Sequence, residues 1–191
     1  MSAPSGALPA GSLERLRHLL AQEGGLMAGL LASSAVVRDA GSAVAGSRPS
    51  HAGVAGDGPR TTARRAEYEL LVEAIYEGYL LHYGAPRVME VPEADLRLLV
   101  GDQLYAIGLA RLVALGDTSA VAELADTITL SALAQGAGNG PLAEAVWAAG
   151  ARAVGWGPSE EHAQAKQLVC DGDPAALEAM RTSARTAPAP R

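Results

Sequence analysis

Glu69, Glu73 and Glu77 recur every four residues between Glu67 and Tyr83. On a helix this spacing lays three carboxylates in a row along one face. Such a row can hold Mg²⁺, which takes one or two carboxylates together with ligand phosphates. The plainer alternative is a solvated acidic stripe on an amphipathic helix. His82 follows a turn and a half after Glu77, offset around the helix. Tyr76, Tyr79 and Tyr83 share another face, where they line a helix interface or the wall of an apolar ligand site.

Asp102 stands within LLVGDQLYAIGL, a setting in which an unpaired buried charge is costly. Asp95 lies seven residues earlier, on a similar face. Gly101 and Gly108 are also seven apart. Each costs about 1 kcal/mol against Ala inside a helix, so their shared face predicts a neighbouring helix passing very close. Asp102 then either caps or pairs inside the bundle or faces a central cavity, and packing is the favoured reading.

Other chemistry is sparse. There is no HExxH, CxxC, Glu-x-x-His or GxSxG, and the Gly136–Gly140 cluster runs into Pro141-Leu142 rather than the Lys and Ser/Thr of a P-loop. The histidines at 18, 51, 82 and 162 are scattered. Cys170 is the only cysteine, with no nearby histidine to activate it, and reads as an inert thiol in a reducing, cytoplasmic setting.

These residues sit in a chain of 191 residues that is 49% hydrophobic and only 4% aromatic, with no Phe. Its core must therefore come mainly from Leu, Ala and Val, and close helix approach has to replace bulk. The net charge of −6 argues against a general nucleic-acid binder. The most apolar early run, Leu26 to Val37, is far short of the roughly 20 residues of a membrane span.

No stretch alternates with period two, so the fold class is all-α, a helical bundle. Residues 1–11 read as a disordered tail and 12–37 as an N-terminal helical section. Residues 38–60, rich in Gly, Ala, Ser and Pro without period, read as a flexible linker. The bundle spans 61–186, followed by a second disordered tail, 187–191. Within it, helices are expected over Thr62–Tyr83, Pro92–Leu115, Asp117 or Thr118–Gln135, from Pro141 to the Gly155–Pro158 stop, from Ser159, and over Pro174–Arg185. Trp147 and Trp156 are core anchors or interface contacts.

The helix ending Tyr79-Leu80-Leu81-His82, the short connection and then Leu98-Leu99-Val100-Gly101-Asp102-Gln103-Leu104-Tyr105 resemble the trans-polyprenyl diphosphate synthases. The likeness covers roughly Glu67 to Gln135. In that family two aspartate-rich motifs hold Mg²⁺ and the substrate diphosphate. Here Tyr83 and Gly84 stand where the first aspartate pair would be, and no Asp-Asp-x-x-Asp occurs. The pattern is closest to the small non-catalytic subunits, of the heptaprenyl diphosphate synthase component I type. Gly101, Asp102 and Tyr105 match that motif, and His82 less securely.

The resemblance implies a truncated isoprenoid-synthase-like bundle that pairs with an aspartate-motif catalytic subunit and is not catalytic alone. No catalytic residue and no metal ligand is assigned; Glu73, Glu77, His82, Asp102 and Tyr105 are the candidate ligand-binding residues. Mg²⁺ enters only if the chain is instead a divergent prenyltransferase using Glu73, Glu77 and Asp102. A self-associating helical scaffold is the third reading. Tyr105, Leu109 and Leu112 are the expected interface residues.

Overall fold

A computed structural model describes residues 11–32 and 50–185, and within them the chain is all-α. Among the described residues nine helices follow in order: α1 Ser12–Glu23, α2 Gly25–Gly29, α3 His51–Asp57, α4 Arg65–Tyr83, α5 Ala94–Ala114, α6 Thr118–Gly136, α7 Gly140–Trp156, α8 Glu160–Cys170 and α9 Ala176–Arg185. A 3-10 turn, Thr62–Arg64, leads into α4. No described helix is long and apolar enough to cross a membrane. The two expected disordered tails lie almost wholly outside the described residues, as do residues 33–49.

Side-chain caps set the starts of α6, α7 and α8. Asp117 Oδ1 accepts from Ala120 N–H at 2.9 Å, Asn139 Oδ1 from Leu142 N–H at 3.1 Å, and Ser159 Oγ from His162 N–H at 3.2 Å. Each satisfies a backbone donor that the first helical turn leaves unpaired. Gly157, at φ 92°, ends α7 in a conformation that L side chains rarely adopt. Ser12 is the first residue of α1 rather than its cap; Gly11 takes that place.

Helix α4 runs through the middle of the molecule. One side meets α3 and the α6–α9 layer, where Leu71, Val72 and Ile75 pack into a core with Leu124, Val146 and the fully buried Trp147. Its other side meets α1 and α5, where Ala74 and Leu81 join Leu16, Leu20, Val100 and Leu104. The crossing with α5 is the most extensive helix pair, and glycine makes it possible. A Cβ on Gly101 would stand 2.6 Å from the His82 ring, one on Gly78 would stand 2.8 Å from Gly101 O, and one on Gly108 would overlap Ile75. The seven-residue glycine spacing thus marks a close helix approach, as expected. Small residues bring the axes together, and the lost aromatic bulk is replaced by proximity.

The expected linker, 38–60, departs from the structure over its described part. Ser50 Oγ accepts from Gly53 N–H at 3.0 Å and opens α3, whose Ala52 and Ala55 are buried. Absence of period is no guide here because the inward face of the helix is Gly and Ala throughout, so small size rather than hydrophobic contrast lets it seat. The following turn locks against α7: Arg60 N–H donates to Gly155 O at 3.0 Å and Arg60 Nη1 to Val154 O at 2.9 Å. The N-terminal section is not set apart either. Ala32 N–H donates to Val88 O and Glu90 N–H to Leu30 O, pinning it to the loop after α4.

Candidate functional site

Glu73 and Glu77 occupy successive turns of α4, and the loop 84–93 folds back across them. Arg87 Nη2 meets Glu73 Oε2 at 2.6 Å, and Arg87 Nε meets Glu77 Oε2 at 3.2 Å. Glu77 Oε1 accepts from the backbone N–H of Arg87 and of Val88, both at 2.6 Å, and of Met89 at 3.3 Å. Ser12 Oγ donates to Glu73 Oε1 at 3.1 Å. All four carboxylate oxygens are therefore engaged. Glu77 is 0% exposed and Glu73 3%, so the solvated-stripe reading is wrong for both. Glu69, half-buried, joins a separate group with Arg15 and Arg65.

Electrostatics agree with a closed clasp. Burial pushes the Glu77 carboxyl up, against the pull of Arg87 and the three N–H groups. Burial alone would lower the Arg87 guanidinium, but Glu73 and Glu77 hold it above the ordinary arginine value. The Arg87 guanidinium also lies 5.1 Å from the centre of the Tyr76 ring. Among the described residues no group of three or more His, Cys, Asp or Glu is arranged to hold a metal ion.

His82, Asp102 and Tyr105 come together at the other end of the α4–α5 crossing. The His82 ring stacks parallel on Tyr105 with centroids 5.3 Å apart. His82 Nε2 stands 3.2 Å from Asp102 Oδ1. The missing Cβ of Gly101 is what admits the imidazole. Asp102 itself is at the surface, with a side chain 69% exposed, which corrects its expected place inside the bundle. Its charge stays in water while its helix buries the opposite face. Tyr105 is half-buried, and burial pushes its phenol well above the ordinary tyrosine value.

The expected interface trio divides. Tyr105 and Leu109 are half-buried, whereas Leu112 is sealed in the core and is no contact for a partner. Tyr76, Tyr79 and Tyr83 do form the expected aromatic run: Tyr76 stacks on Tyr79 at 5.6 Å, Tyr79 is 5.5 Å from Tyr83, and both Tyr76 and Tyr79 pack on Trp147. Trp147 is the core anchor. Trp156 is half-buried beneath Arg152, whose guanidinium carbon lies 3.9 Å from the ring centre.

A further cluster has no trace in sequence spacing. His162 on α8 bonds Ser183 Oγ of α9 through Nδ1 at 2.8 Å and Glu123 Oε1 of α6 through Nε2 at 2.6 Å. Lys166 Nζ donates to Glu123 Oε2 at 3.0 Å and to Asp126 Oδ2 at 2.8 Å. Burial pulls the Lys166 ammonium down, but Asp126 and Glu123 together hold it above the ordinary lysine value. Serine, histidine and carboxylate are each nearly inaccessible. Thirty-nine and twenty-one residues separate the partners, so no local motif could announce them.

No family model, no curated protein and no solved structure matches this chain.

Proposed function

We propose that this chain is a non-catalytic helical subunit that pairs, through the outer face of α5, with an aspartate-motif polyprenyl diphosphate synthase chain. The observation that carries the proposal is the apolar stripe on that face. Leu99, Ala106 and Val113 fall seven residues apart on the side of α5 turned away from α4, and Leu99 is 66% and Val113 58% exposed. Leu98 and Tyr83 extend the patch toward the end of α4. Exposed apolar side chains are what a chain gains by covering, at roughly 25 cal/mol per Å².

Two further observations support a partner role. Of the residues that carry the resemblance, Leu98 and Leu99 stand at one end of this face, while Val100, Gly101 and Leu104 turn inward. Glu73 and Glu77, the carboxylates a lone enzyme would need, are already engaged by Arg87 and by backbone donors. A second reading has one specific observation in its favour. The stripe is symmetric about Ala106, so an antiparallel second copy would set Leu99 against Val113, as a two-fold contact requires.

Affinity purification of the tagged chain from its native host, with mass spectrometry of what co-purifies, tests the proposal. The expected result is stoichiometric recovery of an aspartate-motif synthase chain, lost in the Leu99→Asp/Val113→Asp variant. Recovery of the bait alone, with a dimer mass by light scattering, would move the assignment to self-association. A monomeric bait without companions would overturn both.

A further inference from the structure

Two carboxylates interrupt the apolar stripe of α5. Asp95 lies four residues before Leu99 and Asp102 three after it, so one row along the helix runs Asp95, Leu99, Asp102, Ala106, Val113. All five are exposed, the Asp102 side chain to 69%. Among the described residues neither carboxylate pairs with a lysine or arginine, and Asp102 has only the His82 imidazole, 3.2 Å away. Asp95 sits in the first turn, where the helix dipole favours an acid. Asp102 lies two turns further in and gains nothing from that end.

These charges decide between occupants of the face. Covering a carboxylate without a cation leaves an uncompensated charge, which costs more than the adjoining apolar contacts return. A second copy has no cation to give. Laid antiparallel about Ala106 it would set Asp102 against Ala110, and laid parallel it would set Asp102 against Asp102. Arg111, beside Ala110, is turned to Glu23 of α1 at 2.9 Å, and Arg97 to the carbonyls of Leu81 and Gly84. A partner helix satisfies the face when its own row alternates apolar residues with cations. Asp95 and Asp102 are seven residues apart, roughly 10 Å along the axis, so the cations must be seven apart too. Arginine suits the place best, because its planar fork takes a carboxylate through two bonds.

We propose that the outer face of α5 docks a cationic amphipathic helix of a partner chain, one whose apolar row carries arginines seven residues apart. The identity of that chain rests on the proposed pairing with a synthase; its cationic row rests on Asp95 and Asp102. Leu99 then lies between the two ion pairs, and the cover over it keeps water from both.

The test is fluorescence anisotropy of the full chain with two labelled helical peptides, identical Leu/Ala heptad sequences that carry either Arg or Glu at the seven-residue positions. The expected result is saturable binding of the arginine peptide alone, weakened by salt and by about tenfold in Asp95→Asn/Asp102→Asn. The peptide comparison uses wild-type protein and depends on no variant folding. Equal binding of both peptides, binding of neither, or unchanged affinity in the Asn variant overturns the cationic row. Recovery of a synthase chain from the host, undiminished by Asp95→Lys/Asp102→Lys, also overturns it while leaving the pairing intact. Charge-dependent binding of the arginine peptide without recovery of a synthase chain does the reverse: the row stands and the pairing falls.

Discussion

Arg87 reaches back over α4 to place Nη2 2.6 Å from Glu73 Oε2, so one cation from a loop neutralises carboxylates on two helical turns. Removing that cation strands Glu73 and Glu77 in a site where both are almost fully buried. Breaking a buried pair from one side costs about 3–5 kcal/mol. Arg87→Met should lose that much in urea unfolding, and Glu73→Gln in the same background should recover part of it. A loss below about 1 kcal/mol, the range of surface pairs, would mean that the clasp is open in solution.

Gly108 in the α4–α5 crossing and Gly136 at the open end of α6 predict effects of opposite sign. A methyl group on Gly108 overlaps Ile75, whereas one on Gly136 meets nothing. Gly108→Ala should destabilise by about 1–3 kcal/mol through overpacking. Gly136→Ala should be neutral or stabilise by about 0.4–1 kcal/mol, because it restricts the unfolded chain at no steric cost. Paired chemical-denaturation curves decide this.

Asp117 links acid stability to a helix cap. Partial burial raises its carboxyl, but Ala120 N–H, the Tyr68 hydroxyl at 2.8 Å and Arg60 outweigh that and hold it below the ordinary value of 3.8. A depressed native value stabilises the fold above the unfolded value, and the contribution is lost as pH falls through the native one. Wild-type stability should therefore drop on acidification below about pH 4. Asp117→Asn keeps the cap but loses the charge on its bonds to Arg60 and Tyr68, and should start about 1 kcal/mol lower at neutral pH and show a shallower drop. Identical acid limbs in the two proteins would refute the linkage.

Tyr68 shares that hydrogen bond, and burial followed by Asp117 pushes its phenol to about 12. In a spectrophotometric titration from about pH 9 upward, spanning the ordinary tyrosine range, Tyr68→Phe should therefore leave the early part of the tyrosinate absorbance unchanged. Loss of an early-ionising tyrosine in that variant would contradict the buried hydroxyl.

The outer face of α5 should tolerate change in isolation. Leu99→Asp and Val113→Asp alter exposed positions, so each should shift stability by no more than about 0.5 kcal/mol while weakening assembly. Thermal melts beside light scattering separate the two effects. A large stability loss without change in assembly would assign these residues to folding.

Much of this architecture is legible in one dimension. Capping residues, glycine stops and proline positions are local signals, because a backbone donor is satisfied within a few residues of where it arises. Asp117, Pro141 and Ser159 therefore mark the starts of their helices through residue type alone. The seven-residue interval of Gly101 and Gly108 likewise announces a close helix neighbour, because it fixes which side of the helix lacks bulk. The α3 segment carries no such mark, because hydrophobic contrast, the signal for a buried face, vanishes when Ala and Gly supply the face.

The candidate site divides along the same line. Spacing alone aligns Glu69, Glu73 and Glu77 on one face of α4, and helical geometry admits no other arrangement. Whether that face meets water or a guanidinium depends on where loop 84–93 returns. Asp102 is similarly placed by its helix, while its exposure depends on which side of α5 finds a neighbour. The Glu123–His162–Ser183 cluster lies entirely on the tertiary side: three helices distant in sequence contribute one residue each. Covalent connection and helical period determined the elements and their faces. Only the packing of those faces, summed over the whole core, decided which charges met and which were left in solvent.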